Sequence, residues 1–243
     1  MTRLLNGIVA LGSVLLLAVT LIGAGFAAVA IPDGTTATLS RAFSGCDQPN
    51  TPFTTDELAS MAIAGKRYTF DDNDREKLDA AIAEANAAAE ADGRANALSR
   101  ESAARSLPAD AISHLDDVYR VASVAKPALA IVAVLCIAGL AHVAVRISRR
   151  ALGLTLMAGG GLVLSAFCAL GAWAAIDFDG LFAAFHSLFF QAGTWTFPYD
   201  SLLITLYPTA FWMGMGGIWL AVTCGLSILA VLIGFTLGHK QHD

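Results

Sequence analysis

Four long apolar runs, interrupted by one polar segment, dominate the order of hydrophobic and polar positions along the chain. A helix needs roughly 20 mainly apolar residues to cross the hydrocarbon core of a bilayer. The runs predict transmembrane helices over 1–31, 124–147, 151–176 and 206–238. The other segments are a polar insert at 32–123, a loop at 177–205 and a tail at 239–243. We therefore predict an all-α membrane protein of four transmembrane helices, with a mainly helical cap formed by the insert.

The first run has one feature of a secretory signal peptide, because Ala28-Val29-Ala30 is similar to a cleavage site. Its apolar stretch, Leu4–Ile31, is much longer than the roughly 7–15 residues of a signal core. We expect a retained membrane anchor.

Basic residues beside the spans predict the orientation in the membrane. They are Arg3, Arg146, Arg149, Arg150 and Lys240 on one side, against Lys126 alone on the other. The loop 177–205 carries three acids, which are Asp177, Asp179 and Asp200. Because cytoplasmic loops carry the excess of Lys and Arg, we expect both termini and the turn near 150 inside. The cap and the loop 177–205 then lie on the outer face of the membrane.

Composition supports this division of the chain. Hydrophobic residues make up 56% of the chain and charged residues only 14%, whereas about a quarter of an ordinary soluble domain is charged. Residues 32–125 hold sixteen of the twenty acids and nine of the fifteen bases, a net charge of −7. No basic stripe is present to neutralise phosphates, which argues against a nucleic-acid partner.

Local signals predict helices within the cap. Thr54 and Glu57 have the spacing of a capping box. The stretch 74–104 is rich in Ala, Glu and Arg, which favour helix. Its polarity predicts a solvated helical hairpin broken near Asp92-Gly93. Pro108 suits the first turn of a helix that continues into the second span.

The four cysteines, Cys46, Cys136, Cys168 and Cys224, provide no evidence of a cofactor site. Only Cys46 lies in the cap, so an internal disulfide of the cap is excluded, and no pair has zinc-ligand spacing. We expect the other three to act as small buried hydrophobes.

Two of the five histidines stand out by their position. His239 and His242 fall in the tail, and His142 falls near the inner end of the second span. His114 lies in the helix that leaves the cap, and His186 lies in the outer loop. The topology therefore predicts that both reach the boundary between the cap and the membrane. Each alone is more often structural, but two imidazoles together can exchange protons near neutral pH.

The surroundings of His186 are unusually aromatic. The aromatic residues of the segment 182–212 are Phe182, Phe185, Phe189, Phe190, Trp195, Phe197, Tyr199, Tyr207, Phe211 and Trp212. An interfacial aromatic belt is one explanation, and an aromatic-walled site for a lipid-bearing substrate is the other. Asp200 fits either this site or the N-cap of the fourth span.

These residues carry a family resemblance. The C-terminal signature of the lipoprotein intramolecular transacylase (Lit) family resembles the series Phe185-His186-Ser187-Leu188-Phe189-Phe190, Trp195, Asp200-Ser201-Leu202-Leu203, Leu206-Tyr207-Pro208 and Phe211-Trp212. The segment His114-Leu115-Asp116-Asp117-Val118 resembles the second motif of this family. Asp56-Glu57-Leu58 with Tyr68 resembles the start of its cap, whereas the stretch 74–104 matches poorly.

The resemblance implies an enzyme that moves the sn-2 acyl chain of a diacylglyceryl group to the α-amino group of a lipoprotein's N-terminal cysteine. It implies His186 as general base and His114 as proton donor or oxyanion partner, with the reverse assignment left open. Asp117 either orients an imidazole or faces solvent. The implied substrate-binding residues are Phe185, Phe189, Phe190, Trp195, Tyr199 and Asp200. We expect no metal or other cofactor, and the partners are the lipoprotein and membrane lipid.

A non-enzymatic membrane sensor or assembly protein with a helical cap is the alternative function. A channel or transporter is disfavoured, because no span carries an acid or base at its centre. Acyl transfer requires both histidines, whereas a scaffold tolerates their loss.

Overall fold

The computed structural model describes residues 2–95 and 102–239, and it is 80% helical with no strand within those ranges. Four helical segments are long and apolar enough to cross a membrane. They are Arg3–Ala30, Ala109–Ile147, Arg149–Ile176 and Thr209–Gly238. The predicted all-α class and the four spans are confirmed. The predicted tail lies outside the described residues apart from the backbone of His239, which ends the last helix.

The helices are α1 (Thr2–Ala30), α2 (Asp33–Phe43), α3 (Thr55–Phe70), α4 (Arg75–Ala91), α5 (Ala109–His142), α6 (Arg149–Ile176), α7 (Phe178–Ser187), α8 (Leu202–Leu206) and α9 (Thr209–His239). A π-helical turn over Val143–Ile147 follows α5. The pattern of polar residues did not single out α2 or α8. The last long helix begins at Thr209, because α8 ends at Leu206 and Pro208 disfavours a helical conformation at the residue before it.

Side-chain caps define where several helices begin. The capping box is confirmed, because Thr54 accepts from the Glu57 amide and the Glu57 carboxylate accepts from the Thr54 amide. The interpretation of Asp200 as the N-cap of the fourth span is wrong. Ser201 is a cap instead, and it caps α8 by accepting from the amide of Ile204.

The predicted hairpin over 74–104 is only partly correct. Its first arm is α4, residues 96–101 lie outside the described residues, and residues 102–106 form turns. The stretch is also docked rather than solvated, because Leu78 and Ile82 are buried. Arg105 is 1% exposed and donates to Asn86 Oδ1 at 2.7 Å and to Glu90 Oε1 at 2.7 Å.

The chain divides into two compact units. The span unit comprises Met1–Val29, Ala125–Asp177 and Gly217–Asp243, and the polar unit comprises Ala30–Val124 and Phe178–Gly216. In the span unit, buried Leu17, Val163 and Phe167 form part of the core. Cys136 is buried there, whereas Cys168 is exposed, so the prediction that all three membrane cysteines are buried is wrong for Cys168.

The core of the polar unit joins the cap helices to the segment after α7. Apolar side chains of α3, α4, α5 and α8 pack together, among them Met61, Leu78, Leu115 and Leu202. Tyr207 reaches the same core, and its hydroxyl donates to the carbonyl of Ala62 at 2.6 Å. The first turns of α5 are therefore held on a packed surface, which fixes the direction of the side chains they present.

Candidate active site: two imidazoles in an aromatic cluster

The N-terminal part of α5 presents His114. Its neighbours Ala111, Ile112 and Leu115 are buried in the core of the polar unit. His114 itself is 9% exposed and meets the rings of Phe190 at 5.0 Å and Phe197 at 5.6 Å between centroids. The packing of the helix thus places this imidazole among aromatic rings rather than in open solvent.

Helix α7 presents His186 near its C-terminal end. Phe182 lies four residues earlier, on the same helix face, and its ring centroid is 4.0 Å from that of His186. The helix ends at Ser187, and the amides of Phe189 and Phe190 both donate to the carbonyl of His186. This turn brings Phe190 back to 5.7 Å from the His186 ring.

The two imidazoles lie next to each other. Their ring centroids are 6.2 Å apart and their planes differ by 29°. The convergence of His114 and His186 that the topology predicted is therefore present in the structure, although 72 residues separate them in the sequence. Both rings also contact Phe190, so one aromatic side chain spans the pair.

A single hydrogen bond fixes the neutral tautomer of His186. Its Nδ1 lies 2.9 Å from the carbonyl oxygen of Phe182. Because a carbonyl only accepts, Nδ1 carries the proton and Nε2 holds the lone pair in the neutral ring. Burial lowers the pKa of His186 below the ordinary 6.5, against a smaller opposite effect of this hydrogen bond. At neutral pH, His186 is thus an uncharged imidazole that can accept a proton.

The loop after α7 supplies Trp195. Its ring centroid lies 4.8 Å from that of His186 and 6.4 Å from that of Phe182. Gly193 has φ +87°, a left-handed conformation that glycine adopts without steric cost, and it turns the chain just before the tryptophan. The side chain of Thr194 donates to the carbonyl of Gln191 at 3.0 Å and so stabilises the same turn.

Within the described residues, two buried side-chain nitrogens lack a hydrogen-bond partner, and both belong to this cluster. They are Nδ1 of His114 and Nε1 of Trp195. The hydroxyls of Thr36, Thr51 and Thr223 are also buried without a partner, so it is the position of the two nitrogens beside His186 that distinguishes them. Buried polar groups are usually hydrogen-bonded, and a catalytic role is one explanation for an exception. The arrangement thus leaves unpaired polar nitrogens on the two rings around His186.

The acids that follow His114 have separate roles. The hydroxyl of Tyr68 donates to Asp116 Oδ1 at 2.5 Å, which links α3 to α5. Burial and this carboxylate raise the pKa of Tyr68 to about 12, so the phenol stays protonated and the link persists. Asp117, the predicted orienting residue, accepts from Arg120 at 2.7 Å and partly opposes the lowering of the His114 pKa by burial.

The predicted substrate-binding residues fall into two groups. Phe185, Phe190 and Trp195 contact His186, and Phe189 contacts Phe185 at 5.2 Å. Tyr199 and Asp200 are exposed in a turn farther along the loop.

Tyr199 is directed to another part of the polar unit. Its hydroxyl donates to the carbonyl of Asp47, and its own carbonyl accepts from Gln48. It also lines a small cavity of about 60 Å³ beside Gly45.

Two rings of the cluster were missing from the predicted set. Phe182 makes a shorter ring contact with His186 than Phe185, Phe190 or Trp195 does, and Phe197 packs against His114. The spacing of four residues between Phe182 and His186 indicates a shared helix face, and it is the signal that identifies Phe182 in the sequence. No comparable local spacing links Phe197 to His114.

The fold and the site together define a class of protein. It is an all-α, multi-pass membrane protein in which two imidazoles lie side by side within a cluster of aromatic rings. The model of the family described as "Lipoprotein intramolecular transacylase Lit" matches residues 92–212. The resemblance to the Lit family is thereby confirmed, and the family-level match supports an acyltransferase. Among curated proteins, none matches the chain significantly.

Solved structures show the same fold over nearly the whole chain. The membrane integral lipoprotein intramolecular transacylase Lit from Bacillus cereus is 18% identical, with a TM-score of 0.74 over 98% of this chain and 97% of that one. A form of the Bacillus cereus protein with a histidine-to-arginine substitution is also 18% identical, with a TM-score of 0.66 over 99% and 95%. At this level of identity the likeness establishes the fold.

Proposed function

We propose that this protein is a lipoprotein intramolecular transacylase. It moves the sn-2 acyl chain of a diacylglyceryl-modified lipoprotein to the α-amino group of the N-terminal cysteine, which gives the lyso-form lipoprotein. The observation that carries this proposal is the pair of imidazoles 6.2 Å apart inside one aromatic cluster. The family match over residues 92–212 supports a lipoprotein as the substrate.

Holding the substrate folded is the main task of such a site. The path from the amine to the ester carbonyl closes a ring through nitrogen, Cα, Cβ, sulfur, two glyceryl carbons, the ester oxygen and the carbonyl carbon. Bringing reacting atoms into a near-attack geometry can supply about 7–11 kcal/mol of the barrier. The rings of Phe182, Phe190 and Trp195 offer an apolar surface for the glyceryl and acyl portions of the substrate.

The two imidazoles account for the proton transfers. As the amine nitrogen attacks the ester carbon, Nε2 of His186 takes a proton from that nitrogen. Burial and the neighbouring His186 lower the pKa of His114 to about 4, so this ring starts uncharged at neutral pH. It gives its proton to the glyceryl oxygen only as it receives one from His186, while the bond between the carbonyl carbon and that oxygen breaks. Transfer of a proton from His186 to His114 returns both rings to their starting state, and the products are an amide and a free glyceryl hydroxyl.

We also propose that the cap faces the outside of the cell, on the strength of the basic residues beside the spans. Single cysteines at Ala87, exposed on α4, and at Arg150, exposed after the cap of α6, test this in a protein whose native cysteines are replaced. Ala87→Cys should react with an impermeant reagent on intact cells, and Arg150→Cys only after permeabilisation. The opposite pattern would overturn the orientation.

Mass spectrometry of lipoprotein N-termini tests the proposed activity. Cells that make only the diacyl form are compared with and without this protein. The proposal predicts lyso-form peptides, with an N-acyl group and one ester-linked chain, only in cells that contain the protein. Unchanged diacyl peptides at normal protein levels would support the sensor or assembly function instead.

A further inference from the structure

We propose that Trp195 is an oxyanion donor of this reaction. In this assignment, its indole N–H donates a hydrogen bond to the acyl carbonyl oxygen as negative charge develops there. The inference rests on the proposed transacylase function and adds a third reacting group to the two histidines. It also separates two roles that His114 would otherwise share, because the histidine is left with proton donation alone.

The state of the indole nitrogen carries the argument. Nε1 of Trp195 is shielded from solvent and has no hydrogen-bond partner among the described residues. An indole N–H is a donor only, and a buried donor without an acceptor is costly to the fold. A donor held unpaired in the free protein is thus ready for an acceptor that arrives with the substrate.

The position of the ring fits the same role. The Trp195 centroid lies 4.8 Å from that of His186, the proposed base. The left-handed conformation of Gly193 and the bond from Thr194 to Gln191 stabilise the turn that precedes the tryptophan. Preorganised donors aimed at developing charge cost no reorganisation during the reaction and are usually the largest electrostatic contribution to catalysis.

The chemistry distinguishes Trp195 from the other unpaired nitrogen in the cluster. The imidazole of His114 can take up and release a proton, although burial lowers its pKa to about 4, whereas an indole N–H only donates a hydrogen bond. When the amine adds to the ester carbon, the carbonyl electron pair moves to oxygen and the indole stabilises that charge. When the pair returns, the bond between the carbonyl carbon and the glyceryl oxygen breaks and the indole N–H is unchanged. Trp195 thus lowers the barrier without entering the proton balance.

Replacement of the indole by benzothiophene tests the donor while keeping the shape of the ring. Trp195→benzothienylalanine, introduced at this codon alone, substitutes sulfur for the N–H. In proteoliposomes with a diacyl lipopeptide, we expect kcat to fall about 10²-fold while KM stays near its wild-type value. Trp195→5-fluorotryptophan keeps the N–H and should keep the wild-type kcat.

The matched control is Trp173→benzothienylalanine, because Trp173 lies exposed in α6 of the span unit; this variant should be as active as wild type. If Trp195→benzothienylalanine keeps the wild-type kcat, or changes KM alone, Trp195 only lines the substrate site and the inference fails. If the wild-type protein itself forms no lyso-form product, the proposed function fails instead.

Discussion

The span unit and the polar unit satisfy their polar groups in different ways. In the spans, hydroxyls donate to carbonyls one turn earlier, as Ser13 does to Val9 and Ser227 does to Thr223. In the polar unit, ion pairs link separate segments, such as Arg94 with Glu57 at 2.8 Å. These span hydroxyls thus bond within their own helices, which suits a bilayer, whereas the ion pairs of the polar unit tie distant segments together.

The two units also differ in how their interiors pack. A Cβ added at Gly153 of α6 would lie 2.5 Å from the carbonyl oxygen of Gly234 in α9, and the reverse contact is equally short. Small residues let helices approach closely where burial of apolar surface adds little. The apolar core of the polar unit has an aromatic edge, where two buried nitrogens stay unpaired. Among the described residues, the two buried side-chain nitrogens without a partner, in His114 and Trp195, both belong to the polar unit.

Removing either histidine should have the largest effect on activity. His114→Ala and His186→Ala should each slow lyso-form production by about 10²–10⁴-fold, because each removes a proton-transfer group. The double variant should be little worse than the poorer single variant, since residues that act as a unit are not additive. Rates in proteoliposomes, normalised to inserted protein, provide the measurement. Wild-type rates in either single variant would remove the catalytic assignment.

A substitution in the span unit should affect stability rather than chemistry. Gly153→Ala places a methyl group against backbone of α9, and backbone cannot move aside as a flexible side chain can. We expect a loss of about 1–3 kcal/mol, seen as a lower unfolding temperature in detergent, with the rate per folded molecule unchanged. Gly161→Ala in the same helix has open space around the new Cβ and should be neutral or slightly stabilising. Equal effects of the two variants would contradict the close α6–α9 contact.

The pH at which His186 takes up its proton provides a further prediction. Burial lowers the pKa of this imidazole below 6.5, so the ring should take up its proton only as the pH falls below that value. The proton-accepting form therefore predominates at neutral pH. NMR of isotope-labelled histidine, assigned through His186→Gln, measures the midpoint. A midpoint above 6.5 would show that the neighbouring rings do not desolvate the imidazole as the structure indicates.

His142→Ala should have the smallest effect. His142 belongs to the span unit, and its Nε2 lies 3.4 Å from Asn6 Oδ1, a long contact. We expect a change in stability of less than about 0.5 kcal/mol and wild-type lyso-form production. The variant also serves as a control for histidine loss in general. Activity as low as that of His186→Ala would contradict the division of roles between the two units.

Most of the fold follows from local pattern, and part of the site does too. The spans are long apolar runs, and the capping box at Thr54 and Glu57 is a signal of two residues. The meeting of His114 with His186 was predictable once the topology placed both at one boundary. The docking of the charged stretch near Arg105 was not, because it depends on Asn86 and Glu90, which no local spacing identifies as its partners.

The aromatic cluster, too, is only partly predictable from the sequence. Helical spacing from His186 identifies Phe182, but Phe197 approaches His114 only through the turns of a loop. The different surroundings of Tyr199 have the same cause, because its contact with Asp47 joins residues 152 positions apart. Whether Trp195 Nε1 has an acceptor depends on every group around it, and the sequence alone does not contain that information.

The most direct measurement follows the acyl chain itself. A diacyl lipopeptide carries an isotopic label only in its sn-2 chain and is incubated with the wild-type protein or His186→Ala in lipid vesicles. Tandem mass spectrometry then identifies the acyl chain attached to the cysteine nitrogen. The account predicts that the wild-type product carries the labelled chain as the N-acyl group and that His186→Ala yields almost none. An unlabelled N-acyl group, or equal labelled product from both proteins, would contradict transfer by the paired imidazoles.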